Sequence, residues 1–217
     1  MTLIDPAEVI KIFNKLNESG LSYILLRNIN HELPGNLKLG KDIDLLVHKH
    51  EEDKFKVFFK NNGYNTIKHP FRNDIFLYGV DKFEFKYNNN NKILFDLNFQ
   101  LAVRSLDAGQ WVPLDQKIQD SAWNNMRFGK SNPGLGYWTL SYEDELVMLV
   151  SRSIFDKKCF EEGYIHRIEE LMTLVSLNES ENKFRMIFFK FTPHLVSLIS
   201  NNQYQKIIYN YLRFKEY

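Results

Sequence analysis

Apolar residues recur at helical spacing near the start of the chain. Val9, Ile10, Phe13 and Leu16 fall on one face of a stretch that opens with Asp5-Pro6 and stops at Gly20. This predicts a helix with Asp5 as its cap, proline at the first helical position and Glu8 where a capping-box acid sits. The pattern then changes. "LSYILLR" (21–27) reads as a buried strand, and "NINHELPGNLKLG" (28–40) as a loop with a Pro34-Gly35 turn. "KDIDLLV" (41–47) predicts a second strand, and "EEDKFKVFFKNNG" (51–63) a helix with acids in its first turn and Gly63 as its stop. Four more strands are expected over 64–69, 74–80, 82–87 and 92–101, with the Asn run 88–91 as a solvated turn.

After about Leu106 the text is irregular and rich in Gly, Pro and Asn. From Ser141 it becomes helical: Ser141 caps a helix with Asp144 three residues on, and Leu146, Leu149 and Val150 form a stripe that packs into a core. Glu143, Asp144 and Arg152 are expected on its polar faces. "EGYIHRIEELMTLVSL" (162–177) and the segments after it also read as helical, with His166 and Arg167 facing solvent. The expected class is α+β: a mixed sheet with flanking helices over 1–106, a connector over 107–140 and a helical domain over 141–217.

Composition narrows this picture little. With 217 residues and 44% hydrophobic content the chain is long enough for a sizeable core. The formal charge of +1 supplies no global field for nucleic acid or an anionic membrane. The single cysteine, Cys159, has no internal disulfide partner, and no apolar run approaches the ~20 residues of a membrane-spanning helix. With no signal-peptide pattern at the N-terminus, a cytoplasmic protein is expected.

The chemistry sits in "GKDIDLLV" (40–47). On a strand, residues two apart share a face, so Asp42 and Asp44 project side by side while Ile43 and Leu45 face the other way. Two adjacent carboxylates in a low-dielectric setting need a proton or a cation between them, and magnesium suits hard oxygen ligands. Asp96, in the apolar "ILFDLNFQL", is the expected third acid, placed by a strand beside the first pair. Glu84 is the competing candidate, but it alternates with Lys82 and Lys86 on what reads as a solvated face. The His48-Lys49-His50 triplet lacks a strong third zinc ligand and reads as a surface turn, as do Lys68 and His69.

The order helix, strand, polar loop, "DIDLLV", helix, then a later strand with an aspartate among apolar residues resembles the DNA polymerase β-type nucleotidyltransferase superfamily. "YILLRN…LPG…GKDIDLLV", with "ILFDLNFQL" and "LSYEDELVMLV" downstream, is similar to bacterial nucleotidyltransferase-like proteins, several of them associated with surface-polysaccharide or small-molecule modification. The resemblance implies transfer of a nucleoside monophosphate from an NTP to a hydroxyl of a small, sugar-like acceptor. It also implies two Mg2+ ions held by Asp42, Asp44 and Asp96, with Asp96 as general base. One departure stands out: the superfamily's Gly-Ser or Gly-Gly turn after the first strand is replaced by Leu26-Arg27-Asn28. Arg27, Asn28 and Lys41 are then the expected phosphate-binding groups. The plain alternative is that Arg27 pairs with Asp42 or Asp44 and leaves no metal, making the chain a non-catalytic binding or assembly module. A third, protein AMP-transfer, lacks its usual signature.

Overall fold

The computed structural model describes residues 2–68, 79–80, 84–106, 110–132 and 134–216. Helix α1 (Pro6–Glu18) starts where expected: Asp5 accepts from the backbone N–H of Ala7 at 2.9 Å, with Pro6 at the first helical position. It leads into β1 (Tyr23–Leu25), a loop with a 3-10 turn at Ile29–His31, β2 (Asp42–Val47) and α2 (Glu52–Asn61). Then come β3 (Asn65–Ile67), β4 (Glu84–Tyr87), β5 (Leu94–Asn98), β6 (Ala102–Arg104) and β7 (Trp111–Pro113). Helix α3 (Gln116–Asn124), β8 (Arg127–Ser131) and β9 (Leu135–Thr139) precede the helices. These are α4 (Tyr142–Arg152), a π-helical turn (Ser153–Lys157), α5 (Glu162–Met172), α6 (Leu177–Phe188), α7 (Thr192–Ser200) and α8 (Tyr204–Arg213). The fold is α+β.

Among the described residues the main sheet has seven strands in the order β3-β4-β5-β2-β1-β9-β8. It is mixed: β2 runs parallel to β5 and β1 parallel to β9, while the remaining neighbours are antiparallel. Strand parity divides its two faces. Ile43, Leu45, Phe95 and Leu97 join Val9, Phe13, Phe55 and Phe59 in a core beneath α1 and α2. Ile24 and Leu46, on the opposite face, join Leu146, Leu149, Phe184, Phe188 and Ile207 in a second core built largely from the C-terminal helices. Asp42, Asp44 and Asp96 share the parity of Leu46, so they face the helical half.

The segment 107–140, expected to be irregular, instead carries β7, α3 and two strands of the main sheet. Two of its glycines, Gly129 and Gly136, misled the sequence reading because they are sites of close approach within strands. A Cβ on Gly136 would lie 2.6 Å from the Phe128 ring, so glycine lets that ring lie across β9. Residues 74–78 of the strand expected at 74–80, together with His69 and Lys82, lie outside the described residues. Lys86 is not on a solvated face: it is 2% exposed, with Nζ 2.8 Å from both Thr66 Oγ1 and Glu84 Oε2. Asp144 also departs from its expected polar face. It is 1% exposed and takes hydrogen bonds from Ser121, Ser141 and Lys183. No helix of the described residues is long and apolar enough to cross a membrane.

Candidate active site

The parallel pairing of β2 with β5 sets Asp44 directly beside Asp96, and Asp42 beside Leu94. Since i and i+2 share a face, all three carboxylates emerge together, and one oxygen from each lies within 4.8 Å of the others. Glu84 is excluded from this group by register. Phe85, not Glu84, stands opposite Asp96, so Glu84 points to the other face.

The acids sit at the seam between sheet and helices, and their electrostatics follow from that. Burial, then the charges of Asp44 and Asp42, push the Asp96 carboxyl well above the ordinary carboxylate range. Asp42 shifts the same way, by burial and then by Asp44. Asp96 Oδ1 is buried and has no hydrogen-bond partner among the described residues. A buried acceptor left unpaired costs about 1–3 kcal/mol.

Arg27 enters from the end of β1, where Leu26 N–H donates to Asp44 O at 3.0 Å and brings the two strands together. Its guanidinium forms an ion pair through Nη2 with Asp44 Oδ1, and Nη1 donates to Tyr164 Oη on α5 at 3.3 Å. The pairing named as the plain alternative therefore exists, but it occupies one oxygen of Asp44. Asp42 and Asp96 have no ion pair among the described residues. A second arginine stands nearby. Arg152 pairs with Asp156 at 3.2 Å, and Asp156 Oδ1 accepts from Arg104 N–H at 2.8 Å. The charges of Arg27 and Arg152 both act on Asp42, Asp96 and Tyr164. Burial would raise the Tyr164 hydroxyl, but the two guanidinium groups outweigh it and lower it.

The other expected phosphate contacts are placed differently. Lys41 forms an ion pair with Glu32, and its side chain is 47% exposed. Asn28 is engaged in the fold: Nδ2 donates to Ser131 Oγ and Tyr137 Oη at 3.2 and 3.3 Å, and Oδ1 accepts from Leu33 N–H at 2.9 Å. It also lines a polar cavity of about 190 Å3 with Arg127, Glu145, His166 and Arg167. His166 is exposed as expected, whereas Arg167 is not free in solvent: it donates to Glu145 at 2.8 and 2.9 Å. His48 stacks on Trp123 with ring centroids 3.7 Å apart.

An all-oxygen donor set of three carboxylates, one of them holding an orphaned buried oxygen, fits a hard divalent cation such as Mg2+. Tyr164, Arg152 and Asp156 were not predicted to approach the acids. Arg152 and Asp156 carry a weak local signal, the i,i+4 spacing of an ion pair, but Tyr164 carries none.

No protein-family model and no curated protein matches the chain. Among solved structures it is similar to the antibiotic-resistance factor ANT(2'')-Ia in solution, at 11% identity and a TM-score of 0.49, over 91% of this chain and 96% of that one. It is similar also to ANT(2'')-Ia in complex with adenylyl-2''-tobramycin, at 11% identity and a TM-score of 0.48, over 81% of this chain and 92% of that one.

Proposed function

We propose that the protein is a Mg2+-dependent nucleotidyltransferase that moves a nucleoside monophosphate from an NTP to a hydroxyl of a small, sugar-like acceptor. The observation that carries this reading is the convergence of Asp42, Asp44 and Asp96 from two parallel strands, with one Asp96 oxygen buried and unpaired. Three carboxylates and the Arg27 guanidinium leave two formal negative charges, which one divalent ion balances. A second ion would accompany the triphosphate. Bound there, the ions would polarise the transferred phosphoryl group and stabilise the attacking and leaving oxygens.

The chain's own groups have separable tasks. Asp42 and Asp44 hold cation, with Asp44 shared with Arg27. Asp96 holds cation and, as the general base, takes the proton of the acceptor hydroxyl. Arg27 offers a planar fork to phosphate oxygens, in place of the backbone N–H groups of a glycine turn. Asn28 holds the loop after β1 against β8 and β9, so its part in phosphate binding is by positioning the backbone next to Arg27. Lys41, drawn to Glu32 on the surface, is given no role. The helices from Tyr142 onward pack on the face of the sheet that carries the acids, in keeping with a helical domain that selects the acceptor.

The test is thermal unfolding with ATP, CTP, GTP or UTP, with and without Mg2+. A nucleotide at 100 times its Kd should add about 2.7 kcal/mol of stability, and only with the metal present. The Arg27–Asp44 pair favours a second reading, a non-catalytic module in which the arginine permanently replaces the metal. Absence of any response to all four nucleotides would select that reading.

A further inference from the structure

Arg27 is buried against the carboxylates but incompletely engaged. Its side chain is 20% exposed, Nη2 pairs with Asp44, Nη1 reaches Tyr164 Oη at 3.3 Å, and Nε is buried with no partner among the described residues. A guanidinium offers five donors, and one fixed for good by the fold would be expected to use Nε as well. Tyr164 is 7% exposed on α5. It is held close to the loop after β1 by Gly163, where a Cβ would lie 2.7 Å from the Asn30 amide. The contact therefore links the helical half to the metal-ligating face of the sheet.

We propose that Arg27 is an exchangeable counter-cation: it neutralises Asp44 when no metal is bound, competes with the divalent ion for that carboxylate, and is held in place for this by Tyr164 as a positioning residue. This rests on the reading of Asp42, Asp44 and Asp96 as a divalent-cation site and adds a control on its affinity. The physical basis is charge. Without Arg27 the cluster carries one more uncompensated negative charge within reach of the incoming ion, and its attraction rises. Tyr164 acts only through the guanidinium. It lends an oxygen acceptor to Nη1 and so keeps the fork turned toward Asp44.

Direct Mn2+ titration of the full chain, followed by the electron paramagnetic resonance signal of the free ion, tests this without reference to turnover. Arg27→Met should bind Mn2+ at least about tenfold more tightly than the parent protein. Arg27→Lys, which keeps the charge, should remain near the parent value. Tyr164→Phe should tighten binding by a smaller factor, and adding it to Arg27→Met should change nothing further. Should Arg27→Met fail to fold, Arg27→Gln, neutral and still able to hydrogen-bond, carries the same expectation. Equal or weaker Mn2+ binding by the neutral variants overturns the proposal while leaving the metal site intact. A Tyr164→Phe effect that persists in the absence of Arg27 overturns the positioning role. If neither parent nor folded neutral variants bind Mn2+, the carboxylate reading falls, and this proposal with it.

Discussion

Asp96→Asn removes one negative charge from the carboxylate cluster with almost no change of shape. Two unit charges 4.8 Å apart repel by about 3.5 kcal/mol at an effective dielectric near 20. Asp96 faces two such neighbours, and the charges of Arg27 and of Arg152, itself paired with Asp156, offset part of that repulsion. The metal-free variant should therefore be more stable than the parent by about 3 kcal/mol at pH 7, raising Tm by roughly 6–12 °C for a chain of this size. The sign of its pH dependence follows from the raised carboxyl of Asp96. Below the unfolded value the parent protein carries this group neutral in both states, and no penalty exists. As pH rises toward and through the raised folded value, the parent pays the cost of ionising it and loses stability. The variant's advantage should thus be large at neutral pH and vanish near pH 4 and below. Saturating Mg2+ should narrow the gap from the other side, since the cation stabilises the parent and the variant binds it poorly. The assay is thermal unfolding of both proteins in EDTA and in Mg2+ across this pH range. A variant that melts at or below the parent temperature in EDTA at pH 7 would refute the claim that these acids repel one another in the folded state.

The double substitution Asp42→Asn, Asp44→Asn should lower nucleotidyl transfer by about a hundredfold or more and abolish Mg2+-dependent stabilisation by nucleotide, with the circular dichroism spectrum unchanged. Lys183→Met leaves Asp144, 1% exposed, without its cation; loss of about 3 kcal/mol is expected in urea unfolding, with the two serine donors limiting the damage. Gly136→Ala pushes the outer end of the Phe128 ring off β9; that ring is 46% exposed and can swing toward solvent, so the cost should be about 1 kcal/mol or less, seen as a slightly lower denaturation midpoint at unchanged slope.

The grouping of the three acids was legible in the text because its signals are local. Alternation in "DIDLLV" and "ILFDLNFQL" separates acid from apolar positions whatever the strands pair with, since side chains on a strand alternate by geometry alone. The Asp5, Pro6 and Ser141 signals likewise depend on a few neighbouring residues, and both helices begin where those residues place them. Other features depended on partners distant in the chain. The glycines of 107–140 read as breaks, yet Gly136 lies beneath Phe128, and whether a glycine ends a strand or seats a ring is settled by the opposite strand. Lys86 and Asp144 looked solvent-facing because each carries a charge. Their ion pairs, to Glu84 and Lys183, made burial tolerable, and the Lys183 contact spans 39 positions.

The amino-acid order alone therefore determined which side chains share a face and where regular elements begin, because both follow from backbone geometry over a few residues. Tertiary structure decided that Asp44 stands beside Asp96, that Glu84 turns away, and that Arg27 reaches Asp44 with Tyr164 behind it. Strand register and the approach of α5 set those distances, and charge interactions depend on distance through space rather than along the chain.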